Sequence, residues 1–164
     1  MSEDVLSQYL RAARTGLDAI EPTQLPAVRA AARLFADAIL ADRLVHVFGT
    51  GHSRMAVEEM FPRYGSFPGF HPIVELSMSF HNPVVGANGQ RQAMFLENVQ
   101  GFGPVLWRNF ATSPDDALLA ISSSGCNAVT IDVAAEAKRL GMYVAALTSK
   151  ANADVSTSKH ESGV

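Results

Sequence analysis

Leu44-Val45-His46-Val47-Phe48-Gly49-Thr50-Gly51-His52-Ser53 decides how this chain is read. Its first half is apolar apart from His46, as a strand covered on both faces must be. Its second half puts two glycines and two hydroxyls where such a strand hands over to a helix. A junction of this kind aims free backbone N–H groups and the positive end of a helix dipole at one spot, which suits an anion. The arrangement recurs at Ala117-Leu118-Leu119-Ala120-Ile121, followed by Ser122-Ser123-Ser124-Gly125-Cys126-Asn127. Three serines before a glycine supply O–H and N–H donors in a compact nest without adding charge. Two such loops on one sheet imply a site for an anionic small molecule, most simply a phosphate ester.

Outward from these loops, the pattern predicts strands over residues 44–48, about 72–76, 117–121 and 142–147. A helix is expected from Ser53 to about Met60, stopped near Pro62. Asn127 to Leu140 is the clearest helix, with Val129, Val133 and Ala137 on one face and Gly141 at the stop position. Strand, helix and strand at this spacing imply right-handed crossovers and a parallel sheet. Residues 3–20 read as an amphipathic helix broken at Glu21-Pro22-Thr23, with Thr23 capping a second helix that carries Leu25, Val28, Ala32, Phe35 and Ile39. The expectation is one α/β domain: two N-terminal helices over residues 1–42, then a parallel-sheet core over 43–164. Residues 64–90 read mostly as a long loop with turns at Asn82-Pro83 and Asn88-Gly89, a length that points to function. Arg91 to Phe110 is helical but interrupted at Gly101, Gly103 and Pro104. The polar tail from Asn152 would leave strand 142–147 at an uncovered edge, so a shortened form of a longer protein is expected.

Composition narrows the function. A net charge of −3 with no block of like charges disfavours nucleic acid and anionic membranes as partners. A single cysteine, Cys126, excludes an internal disulfide and fits a reducing compartment. Met1-Ser2-Glu3-Asp4 lacks the basic and apolar regions of a signal peptide, and no apolar run is long enough to span a bilayer, so a cytoplasmic location is expected.

Three competing chemistries fit less well. A dinucleotide fingerprint would want a third glycine where Arg54 stands; Glu75 would serve as its ribose-binding acid, but a lone Gly-x-Gly is a weak signal and nothing in that fold calls for a serine triplet. A cysteine phosphatase built on Cys126 would need an arginine six residues later, where Asp132 stands. His71, His81 and Glu75 contain no close-spaced ligand pair, so no metal is expected, and no cofactor. His71 and His81 would instead close over a ligand. His46, inside a strand, reads as a satisfied core residue, and Phe61, Phe67, Phe70 and Phe80 as packing or a dimer contact.

The two loops, in this order and spacing, resemble the SIS (sugar isomerase) domain from about Leu25 to Ser149. The resemblance implies a three-layer α/β/α flavodoxin-like fold that binds phosphosugars, usually as a homodimer. It implies that Ser122, Ser123, Ser124, Gly125 and Asn127 hold the sugar phosphate, although Asn127 stands where the family usually has threonine. Gly49, Thr50, Gly51, His52 and Ser53 would line the sugar side, with Thr148 and Ser149 completing the contacts. Within the family the chain is similar to uncharacterised SIS proteins that carry the label phosphoheptose isomerase. Glu59-Met60-Phe61-Pro62-Arg63-Tyr64-Gly65 also resembles a segment of the N-acetylmuramic acid 6-phosphate etherases. That likeness implies an acid/base role for Glu59 and a second one for Glu97. His52, inside the first loop, is the histidine best placed for sugar hydroxyls or proton shuttling. The expected function is a sugar-phosphate isomerase or lyase, with a non-catalytic phosphosugar sensor as the alternative and a nucleotide-binding domain behind it.

Overall fold

Val45, His46, Val47, Phe48 and Gly49 are all buried, and this strand, β1 (Val45–Gly49), lies inside a sheet rather than at its rim. The computed structural model describes residues 4–61 and 63–163, without the side chain of His81. Pro62, the expected stop of the first-loop helix, lies outside the described residues. The sheet has four parallel strands in the order β2-β1-β3-β4, with β2 at Phe70–Pro72, β3 at Ala117–Ile121 and β4 at Tyr143–Leu147. Helices follow the chain as α1 (Val5–Leu40), α2 (Arg54–Glu59), α3 (His81–Val85), α4 (Gln90–Leu96), α5 (Phe102–Trp107), α6 (Ala128–Arg139) and α7 (Lys150–Ala153). None of the described helices is long and apolar enough to cross a membrane.

Side chains alternate across the strands, so each face of the sheet has its own cluster. Phe48, Leu118 and Ala120 pack with Ile73, Leu106, Trp107, Val129, Val133 and Ala137, which brings α5 and α6 onto one face. Val47 and Ile121 pack with Val57 of α2 on the other, beside Met60 and Phe61. The α6 stripe Val129, Val133, Ala137 is fully buried, as the sequence period requires. α5 comes so near α6 that a Cβ at Gly103 would stand 2.4 Å from Asp132 Cβ.

The described residues fall into two compact units divided between Ala36 and Asp37. The expected pair of N-terminal helices is instead the single helix α1, which carries Pro22 and Pro26 in its interior. Each proline removes one N–H donor. Residues 18–24 are exposed, so water can solvate the carbonyls left unpaired. Thr23 does not cap a helix here; its hydroxyl donates back to Ala19 O at 2.5 Å.

Three further expectations change. The second strand begins two residues early, at Phe70, and is only three residues long. Residues 81–89 are not loop but α3 followed by a 3₁₀ turn over Gly86–Gly89. The tail is tied back: Lys159 N donates to Cys126 O at 3.0 Å, Glu161 N donates to Gln100 Oε1 at 3.1 Å, and His160 Nε2 meets Asp132 Oδ1 at 3.1 Å. β4 is an edge strand and partly exposed, as its sequence position suggested.

Candidate functional site

β1 and β3 are neighbours, and their register pairs Gly49 with Ile121. Both strands therefore end at the same sheet edge, and the two loops leave it side by side, where α/β sheets place their ligands. Gly49 has no room for a side chain, since a Cβ there would stand 2.9 Å from Ser53 O and 3.2 Å from Ile121 O. The loop turns tightly into α2 at this point, and the buried Ser79 hydroxyl backs it by donating to Gly49 O at 3.4 Å.

The serine loop is organised by its own hydroxyls. Ser122 Oγ accepts from Gly125 N at 3.0 Å, and Ser124 Oγ accepts from Cys126 N at 3.3 Å. Gly125 takes φ +71°, a conformation that favours glycine. Because these serine oxygens act as acceptors within the loop, their O–H protons stay available to an oxyanion. Asn127 stands at the N-cap of α6 with an extended backbone and makes no side-chain cap bond.

Thr50, Gly51, His52, Ser53, Ser122, Ser123, Ser124 and Asn127 line one cleft of about 310 Å³. Glu97 completes its wall. Glu97 follows the last turn of α4, with Thr50 Oγ1 donating to its Oε2 at 3.0 Å. Its backbone carbonyl accepts from Val129 N at 3.1 Å, which fixes the residue against α6. Thr50 is only 6% exposed, so its hydroxyl serves the carboxylate rather than solvent. The side-chain contact with Thr50 joins Glu97 to the first loop.

Glu59 goes elsewhere. It ends α2 with 73% of its side chain exposed and pairs with Arg63 one turn on. It does not line the cleft within this chain. Gly49 and Gly125 shape the loops without lining the cleft. Thr148 donates to Ser123 O at 3.4 Å, and Ser149 caps α7 by accepting from Asn152 N. Both support the serine loop from β4 rather than face the cleft. Asn152 gave no sequence signal, yet its Nδ2 donates to Ser123 Oγ at 2.8 Å. Only the fold brings α7 back to the loop.

A second polar cluster lies at the opposite ends of the strands. His46 Nδ1 meets His71 Nδ1 at 3.0 Å, and His46 Nε2 meets Asp116 Oδ2 at 3.4 Å. Trp107 and Phe110 stand edge-on to these rings. Burial depresses His46 below the usual imidazole range, and the Asp116 carboxylate opposes this without overcoming it. Burial likewise depresses His71. Burial alone would raise the Asp116 carboxyl, but the N–H groups of Leu44 and Ser113 and the His46 ring together hold it low. His46 is thus a satisfied core residue. His71 joins it rather than closing over the cleft, and the His81 side chain lies outside the described residues.

Comparison with known proteins shows the family and the fold. A UPF0309 protein of Thermoanaerobacter pseudethanolicus is 31% identical over 161 residues, covering 97% of this chain and 63% of the relative. A UPF0309 protein of Listeria monocytogenes is 30% identical over 159 residues, covering 97% of this chain and 62% of the relative. The chain thus spans less than two thirds of the length of these relatives. In fold it is similar to phosphoheptose isomerase GmhA from Neisseria gonorrhoeae, with a TM-score of 0.64 at 18% identity, over 92% of this chain and 77% of that one. The SIS domain family model matches residues 8–149, most of the chain. With the two loops of that pattern converging on one cleft, the chain belongs to the SIS domain family.

Proposed function

We propose that this chain is a phosphosugar-binding enzyme of the isomerase or lyase class, which moves a proton on a carbon next to a carbonyl. The observation that carries the reading is the shared cleft: a serine nest built for an oxyanion opens opposite a carboxylate held by a buried threonine. In this reading the Ser122–Ser124 hydroxyls, the nearby amides and Asn127 hold the phosphate. Binding energy from the phosphate, remote from the reacting carbon, fixes the sugar's position. Glu97 takes the proton, and His52 and the first-loop amides donate to the enediolate oxygens as charge develops there. Glu97 is preferred to Glu59 as the base because it lines the same cleft as the nest. A homodimer is part of the proposal. The support for it is the run of exposed apolar residues in the first unit, Val5, Leu6, Tyr9, Leu10, Leu17 and Ile20.

The test is proton exchange. Aldose and ketose phosphates are incubated with the protein in D₂O, and loss of the C–H signal is followed by NMR. Exchange is expected with at least one ligand, slowed at least about 100-fold in Glu97→Gln and retained in Glu59→Gln. Stabilisation by sugar phosphates without any exchange identifies a sensor instead. Stabilisation by NAD or AMP alone rejects the phosphosugar reading.

A further inference from the structure

The serine-loop cleft is only part of the space at this sheet edge. A second cavity of about 540 Å³ shares Gly51, His52 and Glu97 with it and extends toward α3 and α4. Small-molecule sites run to about 300–1,000 Å³. The cleft alone stands at the bottom of that range, and the added lobe offers more room than the cleft itself.

The chemistry of the lobe restricts what enters it. Arg54 is the one cation among its described lining residues, and it is already engaged. Its Nε donates to Glu58 Oε1 at 3.1 Å, and Nη1 reaches Gly51 O at 3.5 Å. Glu97 adds a further negative charge to the shared wall. With Arg54 paired to Glu58 and Glu97 on the same wall, the lobe carries no surplus positive charge for a second anion. Asn82 and Gln90 supply amide donors and acceptors, and Ala93 and Met94 an apolar surface. Amides beside an apolar patch suit a neutral polyhydroxyl ring, which offers hydroxyls at its edge and C–H groups on its face.

Resting on the phosphosugar reading above, we infer that the ligand carries one anionic group and is extended: a phosphosugar with its carbonyl carbon free and a neutral, ring-sized, hydrogen-bonding substituent on the side away from its phosphate. The phosphate occupies the serine nest, the reacting carbon passes Glu97, and the substituent fills the lobe lined by Arg54, Asn82 and Gln90. Sugar bisphosphates and phosphoaldonates, which bring a second anionic group into the lobe, are poor ligands.

Calorimetric binding of five probes tests this: glucose 6-phosphate, glucose 1,6-bisphosphate, 6-phosphogluconate, and two disaccharide monophosphates with no other charge, laminaribiose 6-phosphate and nigerose 6-phosphate, in which the phosphate is on the reducing glucose, whose anomeric carbon stays free. At least one disaccharide phosphate is expected to bind about tenfold more tightly than glucose 6-phosphate, a gain of about 1.4 kcal/mol. The bisphosphate and the aldonate should bind no more tightly than glucose 6-phosphate. Ala87→Trp, which narrows the lobe, should abolish the disaccharide's advantage and leave glucose 6-phosphate affinity unchanged. Gln90→Ala should reduce the same advantage with less steric change. The inference is overturned if the bisphosphate or aldonate binds best, if neither disaccharide exceeds glucose 6-phosphate, or if the advantage survives in Ala87→Trp. Failure of all five to bind rejects the phosphosugar reading together with it. Binding of glucose 6-phosphate without any disaccharide gain rejects the extended ligand alone.

Discussion

The Thr50 hydroxyl donates to Glu97 across 3.0 Å from a buried position, so in the proposed reaction the threonine would act through the carboxylate. A hydrogen bond to a charged group is worth about 1.5–3 kcal/mol, enough to decide which way a carboxylate points. Thr50→Val should lower the proton-exchange rate about tenfold or more (about 1.36 kcal/mol per factor of ten) with little change in ligand affinity, and Thr50→Ser should restore it. Equal loss of affinity in Thr50→Val and Ser124→Ala would instead make Thr50 a direct ligand contact. The other residue-scale consequence lies at the far ends of the strands. His46 and His71 titrate below their ordinary value of about 6.5 in the folded chain. As pH falls through that value the unfolded chain takes up protons that the folded one refuses, so stability is full above it and declines below it. Asp116, held low, adds a further loss at more acid pH. Denaturant melts at pH 8, 7, 6 and 5 should show falling midpoints, and His46→Gln should flatten the decline; stability that rises as pH falls over this range contradicts the assignment.

At the scale of elements, patterns that rest on one strongly periodic face were legible. The α6 stripe, the apolar strands β1 and β3, and the loops that follow them all stand where their residues imply. What was not legible depended on partners distant in sequence. Pro22 signals a break, yet α1 runs through it because the neighbouring backbone remains open to water. β2 is only three residues long, too short to show an alternation of its own, and it pairs with Val45–Val47 of β1. Residues 81–89 have no lasting period, and the helix there is too short to reveal one. The site divides in the same way. The serine nest could be read from consecutive residues, whereas Asn152 and the Thr50–Glu97 contact join segments far apart in the chain. Two substitutions probe this scale. Gly103→Ala presses a methyl group into Asp132 and the Val133 backbone and should destabilise by about 1–3 kcal/mol in equilibrium unfolding. Asn152→Ala releases Ser123 Oγ and should weaken phosphosugar binding a few-fold while leaving the unfolding midpoint nearly unchanged.

For the whole molecule, an exposed apolar run over the first unit predicts self-association. Light scattering should report a dimer, and Leu6→Lys with Leu17→Lys should yield a monomer; a monomeric wild type refutes the dimer while leaving the cleft untouched. The central claim is that two loops at one sheet edge share a single phosphosugar, with the serine nest taking its phosphate. A crystal structure with glucose 6-phosphate tests it most directly. The account predicts the phosphate within hydrogen-bond distance of the Ser122 and Ser124 hydroxyls, with the sugar ring passing between the Gly49–Ser53 loop and Glu97. A sugar phosphate bound anywhere else on the chain, with that nest still holding only solvent, contradicts it.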